Sequence, residues 1–298
     1  MERAYPYQVV VIGGDARQIE VARTLSALYK RVMVFGHPSE KLPDSVDLVT
    51  DLTQVLVDTK VIILPISGMN DAGMVRGYQA DQFYDFGSYF PGLKNNTLIV
   101  TGQMTEKWLN RSEELGIKVI QYAEDDRIAI PNSIPTAEGA VQIAMEELPI
   151  TIHGSTVVIC GFGRVGTATA LAFKSLGARV IITARRQASL DRASEHGLEA
   201  VFQKDLAEIL TSADLIVNTI PALVLGVEEL AKVSPEALVI DLASPPGGTD
   251  FETAKRFKLK AILAPGLPGK VAPKTAGKIL ASAIPQLIAD FWNGGGGK

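Results

Sequence analysis

Gly161-Phe162-Gly163-Arg164-Val165-Gly166 is the segment whose residue types and spacing point most directly to chemistry. Its glycines suit three tasks: a tight turn, close approach of a pyrophosphate to the backbone, and close packing of a helix on a strand. The apolar run Thr156 to Cys160 precedes it and the helical stretch Thr167 to Leu176 follows, the context that raises such a triplet above chance. A helix starting there offers N–H groups and partial positive charge to phosphates. Gly161, Gly163, Arg164, Val165 and Gly166 are therefore assigned to a dinucleotide. The next strand ends Thr183-Ala184-Arg185-Arg186, and Ala184, 18 residues past Gly166, stands where an NAD site carries an acid for the ribose 2′-hydroxyl. Arg185 and Arg186 can instead form forked, charge-assisted bonds to a 2′-phosphate, so the cofactor is read as NADP. Thr183 and the later strand-end turns, with Thr219, Ile220, Pro221, Asp241, Ala243, Leu267 and Pro268, complete the expected contacts. Gly266 to Lys270 is not a P-loop, because Val271 follows the lysine and the glycine spacing fails.

The elements that must position these residues recur twice. Short β-branched runs alternate with amphipathic stretches, the pattern of a parallel sheet covered by helices. In the first half the strands are read at Gln8 to Ile12, Arg31 to Phe35, Lys60 to Leu64, Thr97 to Val100 and Ile117 to Ile120. In the second they are Thr156 to Cys160, Arg179 to Thr183, Leu215 to Asn218, Leu238 to Leu242 and Lys260 to Leu263. The fold class is α/β, two Rossmann-like domains with parallel sheets and a helical hinge, the cofactor in the cleft between them. Residues 1–133 form an N-terminal substrate domain, 134–150 a connecting helix and linker, 151–272 the NADP-binding domain and 273–292 a C-terminal helix packing back on the first domain. The glycine-rich 293–298 is read as a flexible tail. Pro135 and Thr136 suit the start of the connecting helix. The first strand ends at Gly13-Gly14-Asp15-Ala16-Arg17-Gln18, where a helix start and the fork of Arg17 suit a small acidic substrate better than a second cofactor.

Composition narrows the function classes. The 298 residues are 47% hydrophobic and 21% charged, enough apolar material for two cores. A net charge of −4 advertises no face for nucleic acid. No apolar run reaches the ~20 residues of a membrane span, and the N-terminus lacks a secretory leader, so the chain is expected to be cytoplasmic. The single Cys160 reads as a buried core thiol. His37, His153 and His196 form no Asp-His or His-Glu pair, and Asp125 with Asp126 form no metal-ligand set.

Four segments resemble the family of dipicolinate synthase A subunits: Gly13 to Gln18, Ala129 to Ala140, Gly161 to Gly166, and Pro265 to Gly277. The likeness spans essentially the whole chain short of the glycine tail, and a more distant likeness runs to two-domain 2-hydroxyacid and alanine dehydrogenases. It implies NADP-dependent oxidation of a dihydrodipicolinate-type precursor to dipicolinate, pyridine-2,6-dicarboxylate, in the mother cell of sporulating bacteria. It also implies a partner, the flavoprotein-like B subunit; homo-oligomerisation is compatible with it. Loss of a hydride and a proton makes the ring aromatic, so a strong base is unnecessary and no catalytic residue is assigned. The substrate's two carboxylates call for Ser133, Thr136, Lys270, Arg17, Lys274 and Ser67 as partners. Glu138 serves the helix dipole or a proton relay. Two other readings stand beside this one: an NADP-dependent dehydrogenase of another amino or hydroxy acid, and a non-catalytic nucleotide-binding subunit.

Overall fold

Val- and Ile-rich runs form the strands and amphipathic stretches the helices. The computed structural model describes residues 5–79 and 81–294. In chain order, β1 (Tyr5–Ile12) leads to α1 (Ala16–Leu28), β2 (Tyr29–Phe35), β3 (Asp47–Val49), α2 (Thr53–Leu56) and β4 (Thr59–Ile63). A hairpin of β5 (Met74–Arg76) and β6 (Phe83–Asp85) follows, then β7 (Leu98–Thr101), α3 (Glu106–Glu114) and β8 (Lys118–Gln121). The long α4 (Asp126–Glu147) precedes β9 (Thr156–Cys160), α5 (Arg164–Ser175), β10 (Arg179–Ala184), α6 (Gln187–Glu195) and β11 (Glu199–Phe202). Next come α7 (Leu206–Leu210), β12 (Leu215–Asn218), α8 (Val227–Leu230), β13 (Leu238–Asp241), α9 (Phe251–Arg256), β14 (Lys260–Leu263), α10 (Leu267–Val271) and α11 (Pro273–Asn293).

The chain divides into two units, one running to Pro131 and resuming at Ala272, the other Asn132–Val271. Among the described residues each carries a six-stranded sheet, ordered β3-β2-β1-β4-β7-β8 in the first and β11-β10-β9-β12-β13-β14 in the second. Their ladders are parallel. In both, the strand order reverses beside the unit's first strand, opening a crevice at the carboxyl ends.

Both faces of each sheet are buried, which is why the strands read as continuous apolar runs. In the first unit Val9, Val11, Val32, Val34, Val61 and Ile63 pack with Val21, Ala22 and Leu25 of α1 and Leu280, Ile284 and Ile288 of α11. The alternate residues Val10, Ile12, Met33, Ile62 and Leu64 meet Phe86, Phe90 and Met104 on the other side. Helix α11 approaches α1 closely: a methyl group at Gly277 would lie 3.0 Å from the Arg17 carbonyl oxygen. In the second unit Val157, Ile159, Val180 and Ile182 pack with Ala140, Ala144 and Phe173, and Val158, Cys160 and Ile216 with Leu206, Leu210 and Leu230.

Four local expectations are revised. The helix placed after Ser133 begins at Asp126, where Asp125 accepts from the Arg127 backbone N–H at 2.9 Å, and it runs through Pro131 and Pro135. Each proline removes one ladder donor, but burial of Ile128, Ser133, Ala137, Ala140 and Ala144 holds the helix. The turn proposed at Leu267 to Lys270 is the short helix α10. Strands β3, β11 and the β5–β6 hairpin, absent from the sequence reading, are three- and four-residue segments largely exposed or half-buried, so they lack the apolar run of a strand buried on both faces. Asn293 belongs to α11 and Gly294 ends it; the rest of the expected tail and the N-terminal Glu2 and Arg3 lie outside the described residues. No helix among the described residues is long and apolar enough to cross a membrane.

Candidate functional site

The glycine turn of the second unit lies at its switch point, between β9 and β12. Gly161 has φ +98°, a conformation that favours glycine, and its N–H donates to the Thr183 carbonyl at 2.8 Å. A side chain at Gly161 would also meet Thr219 Oγ1 at 2.6 Å. That hydroxyl donates to the Cys160 carbonyl at 2.8 Å, tying the end of β12 to the turn. At Gly166 a methyl group would collide with the Gly161 carbonyl, so helix and strand can pack this closely only with glycine. Gly163 differs, because a methyl there would touch nothing within 4 Å. The middle glycine thus presents bare backbone outward at the N-terminus of α5. No side chain caps that helix, and its ladder starts with Thr167 N–H donating to the Gly163 carbonyl at 2.9 Å, leaving first-turn donors at the mouth. This cradle fits the pyrophosphate of a dinucleotide. Arg164 is exposed beside it and Val165 half-buried.

Burial divides the remaining cofactor candidates. Arg185 and Arg186 are exposed just past β10, the second at the N-cap of α6, and neither guanidinium has a hydrogen bond or ion pair among the described residues. By contrast Arg179, at the other end of β10, forks onto Glu199 with two 2.7 Å bonds. Ile220 is half-buried and Pro221 exposed after β12.

Asp241 is a correction. It is fully buried, and its carboxylate accepts from Asn218 Nδ2 at 3.0 Å and from the N–H groups of Ala243 and Gly248, both at 2.9 Å. Its oxygens are occupied in holding the turns after β12 and β13, and Ala243, 4% exposed, commits its N–H there. Thr183 is likewise fully buried, level with Cys160 across the β9–β10 pair, so it is enclosed rather than open to a ligand. Leu267 and Pro268 are buried, and Leu267 packs its side chain 3.0 Å from where a Gly139 Cβ would stand, a core contact to α4. Burial raises the Cys160 thiol to about 12, leaving it protonated and unreactive at neutral pH.

The substrate candidates are also redistributed. Ser133 is 4% exposed and Thr136 donates its hydroxyl to the Asn132 carbonyl at 2.9 Å. Both are mid-helix, as is Glu138, so no helix N-terminus assists them. Lys270 is exposed in α10, Lys274 in the first turn of α11, and Ser67 in the turn after β4. In the first unit, Arg17 Nε and Nη2 donate to both oxygens of Asp15, at 2.8 and 2.7 Å, so the fork expected to hold a substrate carboxylate is occupied. Asp15 also caps α1 through the Arg17 N–H. Burial pushes its carboxyl up, but the hydrogen bonds and charge of Arg17, helped by Arg76, outweigh this and hold it below the usual range.

Gly13-Gly14 does not repeat the second unit's cradle. The Gly14 N–H donates to the Arg76 carbonyl at 2.7 Å, and a methyl at Gly13 would collide with the same oxygen. The hairpin's Arg76 carbonyl thus covers this turn. Nearby are buried polar groups that the sequence reading did not select. Gln18 is 2% exposed and its amide makes no well-formed hydrogen bond beside the Tyr122 hydroxyl, which donates to the Leu64 carbonyl at 3.0 Å. His37, after β2, is 7% exposed, its ring nitrogens make no well-formed hydrogen bond among the described residues, and burial pushes its pKa down against the Asp15 and Phe35 backbone. Only the tertiary fold buries these side chains; their local sequence carries no such signal.

The comparisons with known proteins agree with this geometry. Residues 8–123 match the family described as the N-terminal domain of the dipicolinate synthase A subunit. Residues 136–244 match the D-isomer specific 2-hydroxyacid dehydrogenase, NAD binding domain. The dipicolinate synthase A subunit of Bacillus subtilis is 36% identical over 286 residues, 95% of this chain and 96% of that protein. The crystal structure of the dipicolinate synthase A subunit from Bacillus halodurans, 38% identical, superposes with a TM-score of 0.91 over 96% of this chain and 99% of its own. The crystal structure of the Bacillus subtilis protein superposes at 0.86, 36% identical, over 96% and 97%. With a nicotinamide-dinucleotide domain of dehydrogenase type in its second unit and full-length likeness to these proteins, the chain belongs to the family of dipicolinate synthase A subunits.

Proposed function

We propose that the chain is an NADP-dependent oxidoreductase that converts a dihydrodipicolinate-type precursor to dipicolinate, working as the A subunit with a flavoprotein-like B subunit in the cytoplasm of the mother cell. Family membership supports the reaction class. The observation that carries the cofactor choice is the end of β10, where Ala184 replaces the expected carboxylate and two exposed arginines lack partners among the described residues.

When bound, the nicotinamide supplies the hydride acceptor. The first-turn N–H groups of α5 and the bare Gly163 backbone hold the pyrophosphate. Arg185 and Arg186 hold the 2′-phosphate, while Thr219 keeps the turn in register. Lys270, Lys274 and the Ser67 hydroxyl supply charge and hydrogen bonds for the two substrate carboxylates. Ser133 and Thr136 act through α4, which they help to pack. Aromatisation drives the loss of hydride and proton, so positioning dominates over acid–base catalysis.

The reaction is tested by supplying NADP and the precursor generated in situ by dihydrodipicolinate synthase from pyruvate and aspartate semialdehyde, and following the ultraviolet absorption of the aromatic product. Product formed by the chain with or without the B subunit supports the reading; none in either case, with the precursor confirmed, defeats it. The double variant Arg185→Ala/Arg186→Ala is expected to weaken NADP binding by about 100-fold, two charge-assisted bonds, and NAD binding by less than threefold. Equal losses for the two coenzymes would reject the phosphate role.

A further inference from the structure

A third arginine stands at the glycine turn. Arg192 lies in α6, six residues past Arg186, and its guanidinium carbon sits 5.3 Å from the centre of the Phe162 ring. Its Nη2 also donates to the Phe162 carbonyl at 3.4 Å. Phe162 is the middle residue between Gly161 and Gly163 and is only 4% exposed, so it forms a fixed platform. Stacking on a ring face and one long hydrogen bond hold the guanidinium plane but use few of its five N–H donors.

Charge gives the second line of argument. Arg192 faces no carboxylate at ion-pair distance among the described residues, although Asp191 is its neighbour in sequence; Asp191 accepts from Gln187 Nε2 at 2.7 Å. Arg185, Arg186 and Arg192 thus lie on one strand-to-helix segment and none makes an ion pair among the described residues. Elsewhere Arg17, Arg31, Arg111, Arg127 and Arg179 are matched with acids, while Arg76 and Arg256 stand singly without an ion pair among the described residues. Uncompensated guanidiniums grouped beside a phosphate-binding turn suit an anion with charge approaching two, which needs donors from more than one direction. The adenosine ribose of a dinucleotide on such a turn lies toward the end of the second strand, here β10. Arg185 and Arg186 stand at that strand end, and Arg192 on the helix that follows it, against Phe162.

We propose that Arg192, stacked on Phe162, is a specificity-determining residue that binds the 2′-phosphate of the coenzyme together with Arg185 and Arg186. The proposal rests on the NADP reading above. Phe162 acts as a positioning residue, holding the guanidinium at the glycine turn.

Calorimetric binding of adenosine 2′,5′-bisphosphate and of 5′-AMP to the whole chain tests this without turnover. The wild type is expected to prefer the bisphosphate, Arg192→Gln to bind it about 10- to 100-fold more weakly with 5′-AMP changed less than twofold, and Arg192→Lys to recover part of the loss. Phe162→Leu, which removes the ring but keeps an apolar side chain, is expected to show a smaller loss confined to the bisphosphate. An equal loss for both probes in Arg192→Gln would make the arginine a platform for adenine, and no loss would remove it from the site; either overturns the proposal. A wild type that fails to distinguish the probes would instead defeat the NADP reading beneath it.

Discussion

Asp241 shows how a residue at the right place can have a different task. Its position at the end of β13 suggested a cofactor contact, but the carboxylate is enclosed and receives three N–H donors. One of those donors ends β12 and two follow β13, so Asp241 fixes the backbone at the carboxyl ends of both strands. Replacing it with alanine leaves buried N–H groups without acceptors, a cost of about 2–4 kcal/mol. Urea unfolding of Asp241→Ala is expected to show that loss, whereas an unchanged midpoint would return the carboxylate to the ligand side. Arg17 makes the complementary point. Its type suggested a carboxylate partner, which it has, but the partner is Asp15 two residues away.

At the scale of elements, the β9–α5 junction separates stability from binding within one motif. Gly166 has no room for a methyl group, because the helix start rests on the Gly161 carbonyl; Gly163 has open space. Gly166→Ala is therefore expected to destabilise the second unit by about 1–3 kcal/mol through overpacking. Gly163→Ala is expected to leave stability within about 1 kcal/mol while weakening dinucleotide binding at least tenfold, since the added methyl would stand in the pyrophosphate approach. Thermal unfolding and dinucleotide titration of the pair check both halves; a Gly163→Ala chain binding normally would place the phosphates elsewhere. In the first unit the corresponding turn is filled by the hairpin's Arg76 carbonyl. Alike strand order does not give alike ligand capacity, since a single covering loop changes what the turn can accept.

For the whole molecule, the closed turn of the first unit and the open turn of the second imply one dinucleotide per chain. Calorimetric titration is expected to give a stoichiometry of one, and a second equivalent binding with comparable affinity would mean that the hairpin moves aside. Residue order alone made much of this architecture readable: buried strands such as β1, β9 and β12 announce themselves by uninterrupted apolar runs, and the Gly161 to Gly166 spacing marks the cradle, because both signals are local. The extra donor on Phe162, the occupied fork of Arg17, the enclosed Asp241 and the early start of α4 were not readable in that way. The Phe162 and Asp241 contacts depend on which distant segment lands beside them. The Arg17 fork and the start of α4 are set by Asp15 and Asp125 two residues away, but residue type alone does not say which of several acceptors a guanidinium or a helix start takes. A short motif prescribes its own backbone, whereas the folded packing settles which of its side chains are left to meet a ligand.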